Sequence, residues 1–365
     1  MAGDRVCMAG ALQQFVAAVC AAMGADADIA SEVASHLVRA NLSGHDSHGV
    51  IRIPQYVAQA DQGELLPGAR PAIMKETTVG ALIDAGRGFG HFSTSFALQW
   101  AMERAGEHGL AAAAVRHSSH IGRLGEYTEH AAERGLIAMV TVGAAGPGVG
   151  GVNLYGGRKR FFGANPWSIG VPALEHLPVV FDGSTSAIAE GKVRVARAKG
   201  AQLPPGCIVD AEGNPSTDPA DFYAGGALVP LGGEVAGHKG YGLSLASALL
   251  SGLAMIDDSE PTLIGASSVQ DETDTRGRMA GVFLTVIDPA LFGNSASYSK
   301  MVDETLAAAK RVPPAAGTSE ILIPGEPEAR SRDQRGRSGI TLPEATWNDL
   351  LAVAERYGVA APSTL

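Results

Sequence analysis

Residues 140–153, VTVGAAGPGVGGVN, decide how this chain folds. Gly146, Gly148 and Gly151 match the spacing G-x-G-x-x-G directly behind the apolar run LIAMVTV (136–142). In a dinucleotide fingerprint such a strand turns into a helix whose first amides hold a pyrophosphate. That unit demands a helix after the third glycine. Here the chain continues VNLYGGRKRFFGANP (152–166), with a Gly-Gly pair and a proline, which resists helix formation. No acidic residue ends a second strand about 20 residues on, where a ribose contact belongs. The glycines match the fingerprint by letter only, and a Rossmann unit is not expected.

Outward from this segment, the middle of the chain alternates short apolar runs with glycine-rich turns: GALIDAG, LAAAAVR, WSIGVPA, PVVFDGS and AGVFLTVID. These read as strands, with helical pieces such as FSTSFALQWAMERAGEHG and LGEYTEHAAERG between them. Both ends read helical. Leu12, Val16, Val19 and Met23 recur at helical spacing before Gly24, a natural C-cap, and a second helix starts near Asp28 and stops at Gly44. YSKMVDETLAAAKRV and PEATWNDLLAVAERYG supply helices near the other end. PADFYAGGALVPLGGEVAG (219–237) reads as a connecting loop, and ILIPGEPEARSRDQRGRSG (321–339) as a passage between helices. The expected class is α/β of the α+β type. A helical unit from residues 1–75 plus 300–365 packs beside a β-rich unit over 76–299.

Composition excludes several function classes. With 45% hydrophobic and 18% charged residues, the 365-residue chain is globular. A net charge of -10 leaves no basic excess for nucleic acid, while a local arginine can still hold a small anion. Cys7, Cys20 and Cys207 form neither a disulfide framework nor a zinc pattern, which fits a reducing cytoplasm. The apolar AGALQQFVAAVCAAMGA near the N-terminus is interrupted by Gln13 and Gln14 and reads as a helix rather than a signal peptide. No run of about 18 apolar residues free of polar ones occurs, so no membrane span is expected.

Chemistry concentrates in NLSGHDSHGVIRIPQY (41–56), which carries two histidines, Ser47, Arg52 and Tyr56. A nucleophilic serine at Ser47 lacks a G-x-S-x-G elbow, and neighbours on an extended segment point opposite ways. His117, His120 and His130 raise a metal site, and His117, His120 and Asp182 would serve a metal-dependent hydrolase. HSSHIG, however, sits at a strand-to-loop boundary without a zinc motif's spacing, and His117 and His130 read equally as capping or solvated residues. No metal is expected.

SGHDSHGVIRIPQY resembles the signature of the non-Rossmann malate/L-lactate dehydrogenase family. Its members include ureidoglycolate, sulfolactate and malate dehydrogenases, 2,3-diketogulonate reductase and piperideine carboxylate reductase. The likeness continues in order through HSSHIGRLGEYTEHAAERGLI, FFGANPWSIGVP, FDGSTSAIAEGKV, LPPGCIVDAEGNPSTDP, GHKGYGLSLASALLSG, ILIPGEPE and GITLPEATWNDL, nearly the whole chain. It implies NAD- or NADP-linked interconversion of a 2-oxo acid and a 2-hydroxy acid. It further implies a β-rich cofactor domain beside a helical domain made by both termini, and a homodimer with its sites near the interface.

Carried over residue by residue, the resemblance makes His120 the acid/base, with His48 and Ser47 completing a relay. A carbonyl taking up hydride needs a proton within hydrogen-bond reach, and histidine titrates in the right range. Arg52 has the planar fork a carboxylate needs, Tyr56 lies one helical turn beyond it, and Asn165 falls on the substrate side. Cofactor positions are His120, Ile121, Gly122, Arg123 and Leu124; Asp182, Gly183 and Ser184; His238 and Lys239; and Pro324, Gly325 and Glu326. His45 and Asp46 take no family role and read as solvated. GRKR (157–160) could meet a 2'-phosphate or be merely exposed, so NAD and NADP stay open.

The chain departs from the family at GAAGPGVGG, where a threonine or serine is common beside the proline, and at Ala164, where threonine is usual. Lys192 follows Gly191 where the cyclic-imine reductases carry an acidic relay residue, which favours the hydroxy-acid branch over a cyclic-imine carboxylate reductase. A scaffold protein with lapsed chemistry would have no reason to keep Ser47, His48, Arg52, Tyr56 and His120 together.

Overall fold

A computed structural model describes residues 3–256 and 281–365; Ala280, first of the run AGVFLTVID, lies outside them. The segment that opened the sequence reading settles the architecture. Ile137–Gly143 is a strand, but after Gly151 the chain enters a second strand, Val152–Asn153, and no helix starts there. Gly148 and Gly150 hold positive φ (74° and 59°), and a Cβ on Gly150 would stand 2.3 Å from the Phe162 carbonyl oxygen. These glycines serve backbone crossing between strands.

The main sheet has seven strands, in the order Ala72–Glu76, Gly80–Asp84, Leu110–Arg116, Gly281–Ile287, Ile137–Gly143, Trp167–Val171 and Val179–Gly183. Only Gly80–Asp84 with Leu110–Arg116 pairs parallel; the other five neighbouring pairs are antiparallel. A doubly wound fold needs parallel neighbours joined by crossovers, so this sheet is of another kind. A smaller five-stranded sheet contains Val152–Asn153 and Arg160–Phe162.

Alanine explains how closely the helix Gly90–His108 lies on the main sheet. Ala97, Ala101 and Ala105 share a core with Ala111 and Ala113 of LAAAAVR, and small side chains on both faces let backbone approach backbone. The helices Ala9–Ala22 and Ala27–Leu42 bury Leu12, Val16, Val19, Ile29, Val33 and Leu37 in a separate core. Ile340, Leu342, Leu350 and Val353 from the far end of the chain complete it. Strand Arg5–Cys7 pairs antiparallel with Ile340–Leu342, so both chain ends build one helical unit. Ala72–Glu76 straddles residue 75 and the helix Ser295–Lys310 straddles residue 300, the two divisions expected from sequence.

Two segments differ from their reading. PADFYAGGALVPLGGEVAG contains the short helix Pro219–Tyr223, capped by Asp218 on the Ala220 amide, then strand Ala227–Leu228 and the start of helix Gly233–Ser251. The passage 321–339 contains the helix Glu326–Ser338. That helix has almost no apolar residue and hence no hydrophobic period to detect. Glu326 and Glu328 in its first turn and Arg335 and Arg337 in its last complement the helix dipole instead.

Candidate active site

Asn41, near the end of helix Ala27–Leu42, organises the histidine-rich turn. Its Oδ1 accepts from the Val50 amide at 2.9 Å and its Nδ2 donates to Asp46 at 2.7 Å. Gly49 has no room for a side chain, since a Cβ would lie 2.1 Å from Asn41 Oδ1. The chain therefore folds into two 3-10 turns, Asp46–His48 and Val50–Arg52, rather than the extended segment the serine argument assumed. Ser47 and His48 consequently meet, Oγ to Nδ1 at 3.0 Å. His45 and Asp46 are not simply solvated: His45 Nε2 lies 3.1 Å from Glu328 Oε1, and Asp46 accepts from Arg335 Nη1 at 2.6 Å. The largely polar helix Glu326–Ser338 is thus docked onto the turn by polar contacts.

Arg52 donates from Nε to the Ser47 carbonyl at 2.6 Å and from Nη1 to Gln55 at 2.8 Å. These bonds use two of the guanidinium's five N–H donors and aim the fork while leaving the rest for a ligand. Tyr56 lies within the field of Arg52 but does not share its partial exposure. It turns into the core, is 1% exposed, and its hydroxyl lies 2.8 Å from His120 Nδ1 and 3.4 Å from His91 Nε2.

The rings of His48 and His120 stack at 5.7 Å with planes 17° apart, bringing the 41–56 stretch onto the HSSHIG turn. His36 and His91 lie behind them, edge to face at 4.8 Å and both buried. These two were not singled out from sequence. His36 sits in the apolar helix and His91 in the first turn of Gly90–His108, and neither position carries a spacing signal. Burial lowers the pKa of all four rings. His48 falls to about 4, with Arg52 and His45 adding to burial, and His91 falls to about 3. His36 and His120 fall well below the usual value, for His120 through burial, then His91, Arg52 and His48. At neutral pH the cluster is uncharged, and Arg52 and Arg123 are cations that face it.

The HIGRL turn is built around this cluster. Gly122 has φ +75°, and a Cβ there would lie 2.4 Å from His36 Nε2 and 2.8 Å from the His91 ring. The next amide, Arg123 N–H, donates to His36 Nε2 at 3.1 Å. The Arg123 side chain is buried, 3.6 Å from Glu129 and 3.7 Å from Asp182, and Glu129 is held in turn by Arg332 at 2.5 Å. Asp182 accepts from the Gly125 amide at 2.7 Å, though burial still raises its pKa. Pro324 supplies the carbonyl that the Val180 amide uses at 3.0 Å, and Glu326 holds its own turn by accepting from the Ile323 amide. Three of the four expected cofactor segments thus converge on one edge of the main sheet: His120–Leu124, Asp182–Ser184 and Pro324–Glu326.

The remaining expected positions lie apart from the histidines. His238 and Lys239 are exposed on the helix Gly233–Ser251. Asn165 has φ +41° and is buried; its amide donates to the Ala144 and Ser244 carbonyls and its oxygen accepts from the Ala144 amide. Those bonds engage both amide hydrogens, so Asn165 braces the backbone instead of presenting a polar tip. Arg160 of GRKR donates to the Gly226 and Phe222 carbonyls and covers the Phe222 ring. His117 bonds Asp84 at 3.0 Å while Asp182 bonds Gly125, so the hydrolase triad does not assemble. Among the described residues, no group of three or more His, Cys, Asp or Glu side chains could hold a metal ion, and no helix is long and apolar enough to cross a membrane. Cys7, Cys20 and Cys207 are all free and buried.

The site is thus a histidine–tyrosine cluster under a partly exposed arginine, beside a glycine turn and outside any Rossmann unit. The chain belongs to the malate/L-lactate dehydrogenase family, whose model matches residues 8–351. It is 35% identical over 353 residues to hydroxycarboxylate dehydrogenase B of Escherichia coli K12, covering 95% of this chain and 93% of that one. It is 32% identical over 338 residues to a Delta(1)-pyrroline-2-carboxylate reductase of Ancylobacter novellus, covering 92% and 93%. Among solved structures, malate dehydrogenase from Entamoeba histolytica superimposes with a TM-score of 0.90 at 27% identity, covering 99% of this chain and 100% of that one. The protein is an enzyme, an oxidoreductase of this family, and the family implies a nicotinamide cofactor.

Proposed function

We propose that the enzyme interconverts a small 2-oxo acid and its 2-hydroxy acid with NAD or NADP, using His120 as acid/base and Arg52 as carboxylate anchor. The observation that carries this reading is His120 itself. It is partly exposed, its Nδ1 is held from behind by buried Tyr56, and its ring stacks on His48 within the field of Arg52. Nε2 is therefore the nitrogen left for a substrate oxygen.

A nicotinamide bound at the site supplies the two-electron donor or acceptor. The glycine turns at Gly122 (φ +75°) and Gly325 (φ +103°) carry backbone-amide chemistry that would suit its diphosphate. In reduction His120 gives a proton to the carbonyl oxygen, and in oxidation it takes the hydroxyl proton. Arg52 fixes the carboxylate beside the reacting carbon, and its charge counters that of the acid. Burial is the first reason His120 stays neutral, and the arriving anion offsets the Arg52 field that adds to it, so the ring becomes a better proton carrier once substrate is bound. Ser47 and His48 cover the exposed side of His120 and complete the relay.

The site residues favour a hydroxy acid over a cyclic imine, because Lys192, not an acid, follows Gly191 and is exposed. We further infer a homodimer. Exposed Leu243, Leu249, Leu253 and Ile256 fall on and just beyond the helix Gly233–Ser251 and suit a second copy. The test is oxidation of NADH and NADPH against a panel of 2-oxo acids, followed by nicotinamide absorbance. Turnover of one or more acids is expected, and turnover of none by folded protein overturns the reading.

A further inference from the structure

We propose that His91 is a positioning residue for proton transfer, orienting the Tyr56 hydroxyl so that His120, Tyr56 and His91 act as one hydrogen-bonded triad. The inference rests on the reading of His120 as acid/base. His91 is fully buried, and its ring lies 5.7 Å from Tyr56 and 5.9 Å from His120. The Tyr56 hydroxyl sits between two ring nitrogens, His120 Nδ1 at 2.8 Å and His91 Nε2 at 3.4 Å, but has one hydrogen to give.

That single hydrogen ties the state of His120 to His91. When Tyr56 donates to His91 Nε2, its oxygen accepts from His120 Nδ1–H. Such an arrangement supports the imidazolium that delivers a proton in reduction, and equally the neutral base with a free Nε2 lone pair in oxidation. When Tyr56 donates to His120 Nδ1 instead, it competes with the imidazolium and places the remaining proton of the neutral ring on Nε2. Only the first arrangement serves both directions, and only an acceptor at His91 makes it available. Burial keeps His91 neutral, and with its one ring proton on Nδ1 the lone pair at Nε2 is the one that faces Tyr56.

The surroundings offer no substitute. His120 faces His91, Arg52, His48 and His36, and His91 faces Tyr56, His120, His36 and His48. His36 is committed elsewhere, since its Nε2 accepts the Arg123 amide. Its ring packs edge-on against His91 and fixes the plane in which Nε2 meets Tyr56.

The experiment measures kcat/KM against pH for pyruvate, oxaloacetate, glyoxylate and phenylpyruvate with NADH and NADPH, together with melting temperature. The proteins compared are the parent, His91→Leu, His91→Gln, Tyr56→Phe and His120→Ala. In His91→Leu the alkaline limb moves to lower pH by about one unit, the worth of one hydrogen bond to the proton carrier, with a roughly 10-fold loss above it. His91→Gln restores the limb, because its amide oxygen can accept from Tyr56. Tyr56→Phe moves the limb the same way, and adding His91→Leu to it moves the limb no further. An unmoved limb in His91→Leu, alongside an inactive His120→Ala, overturns the triad and leaves the acid/base reading standing. An active His120→Ala, or a parent that reduces none of the acids, overturns that reading itself. Should His91→Leu fail to fold, an unmoved limb in Tyr56→Phe overturns the triad equally.

Discussion

Gly122 and His36 stand so close that a Cβ on the glycine would lie 2.4 Å from the imidazole Nε2. That nitrogen also accepts the Arg123 amide, so the ring cannot retreat without losing its bond. Gly122→Ala should therefore fail twice, through strain at φ +75° and through overlap with His36. We expect destabilisation of about 2 to 4 kcal/mol, from backbone strain plus overpacking, and loss of turnover beyond the unfolded fraction. Thermal melts and kcat on the soluble variant check it; a normal melt with normal kcat would show that the turn can give way.

His120→Ala removes the proposed proton carrier. Turnover should fall by roughly 100- to 10,000-fold while cofactor affinity changes little. Steady-state kinetics together with fluorescence titration of NADH and NADPH decide it. Near-normal turnover would move the role to His48, which stacks on the same ring.

Arg52→Lys keeps the charge and loses the paired geometry. Loss of a charged partner in a desolvated site costs on the order of 2 to 5 kcal/mol, or roughly 30- to several-thousand-fold in kcat/KM. Arg52 has no carboxylate partner among the described hydrogen bonds and ion pairs of the chain, so the melting temperature should hardly move. A folded variant with unchanged kcat/KM for every 2-oxo acid would sink the anchor role.

Acid should destabilise the fold before its surface carboxylates titrate. His36, His48, His91 and His120 have folded pKa values below the unfolded value, so the unfolded chain binds protons that the native one refuses. Stability is full above about pH 6.5 and declines as pH falls toward about 4 for His48 and about 3 for His91. Each buried ring contributes up to about 1.4 kcal/mol per pH unit in that window. Glu126 and Asp182, raised by burial, act in the opposite sense, while His130, lowered by burial, adds to the effect of the four. Melting temperature should drop between pH 6.5 and 5, and His36→Asn in a folded variant should flatten the slope. A flat profile over that range would contradict the buried neutral cluster.

Much of this was legible in the residues. The absent helix after Gly151 and the helical ends around a strand-rich middle follow from local periodicity and turn chemistry, while the grouping of His120 with Ser47, His48 and Arg52 was implied by the family resemblance. Tertiary structure alone decided the rest. Tyr56 faces His120 because its helix buries that side, although Arg52 is its sequence neighbour by one turn. Asn165 became a brace once its turn closed on Ser244, a residue 79 positions away. The helix Glu326–Ser338 is held by Arg332 on Glu129 and Arg335 on Asp46, charges whose partners lie more than 200 positions apart in the chain. His36 and His91 belong to the site for the same reason. A hydrophobic period is written along a single segment, whereas hydrogen bonds and ion pairs between distant segments exist only after folding has brought both partners out of water together.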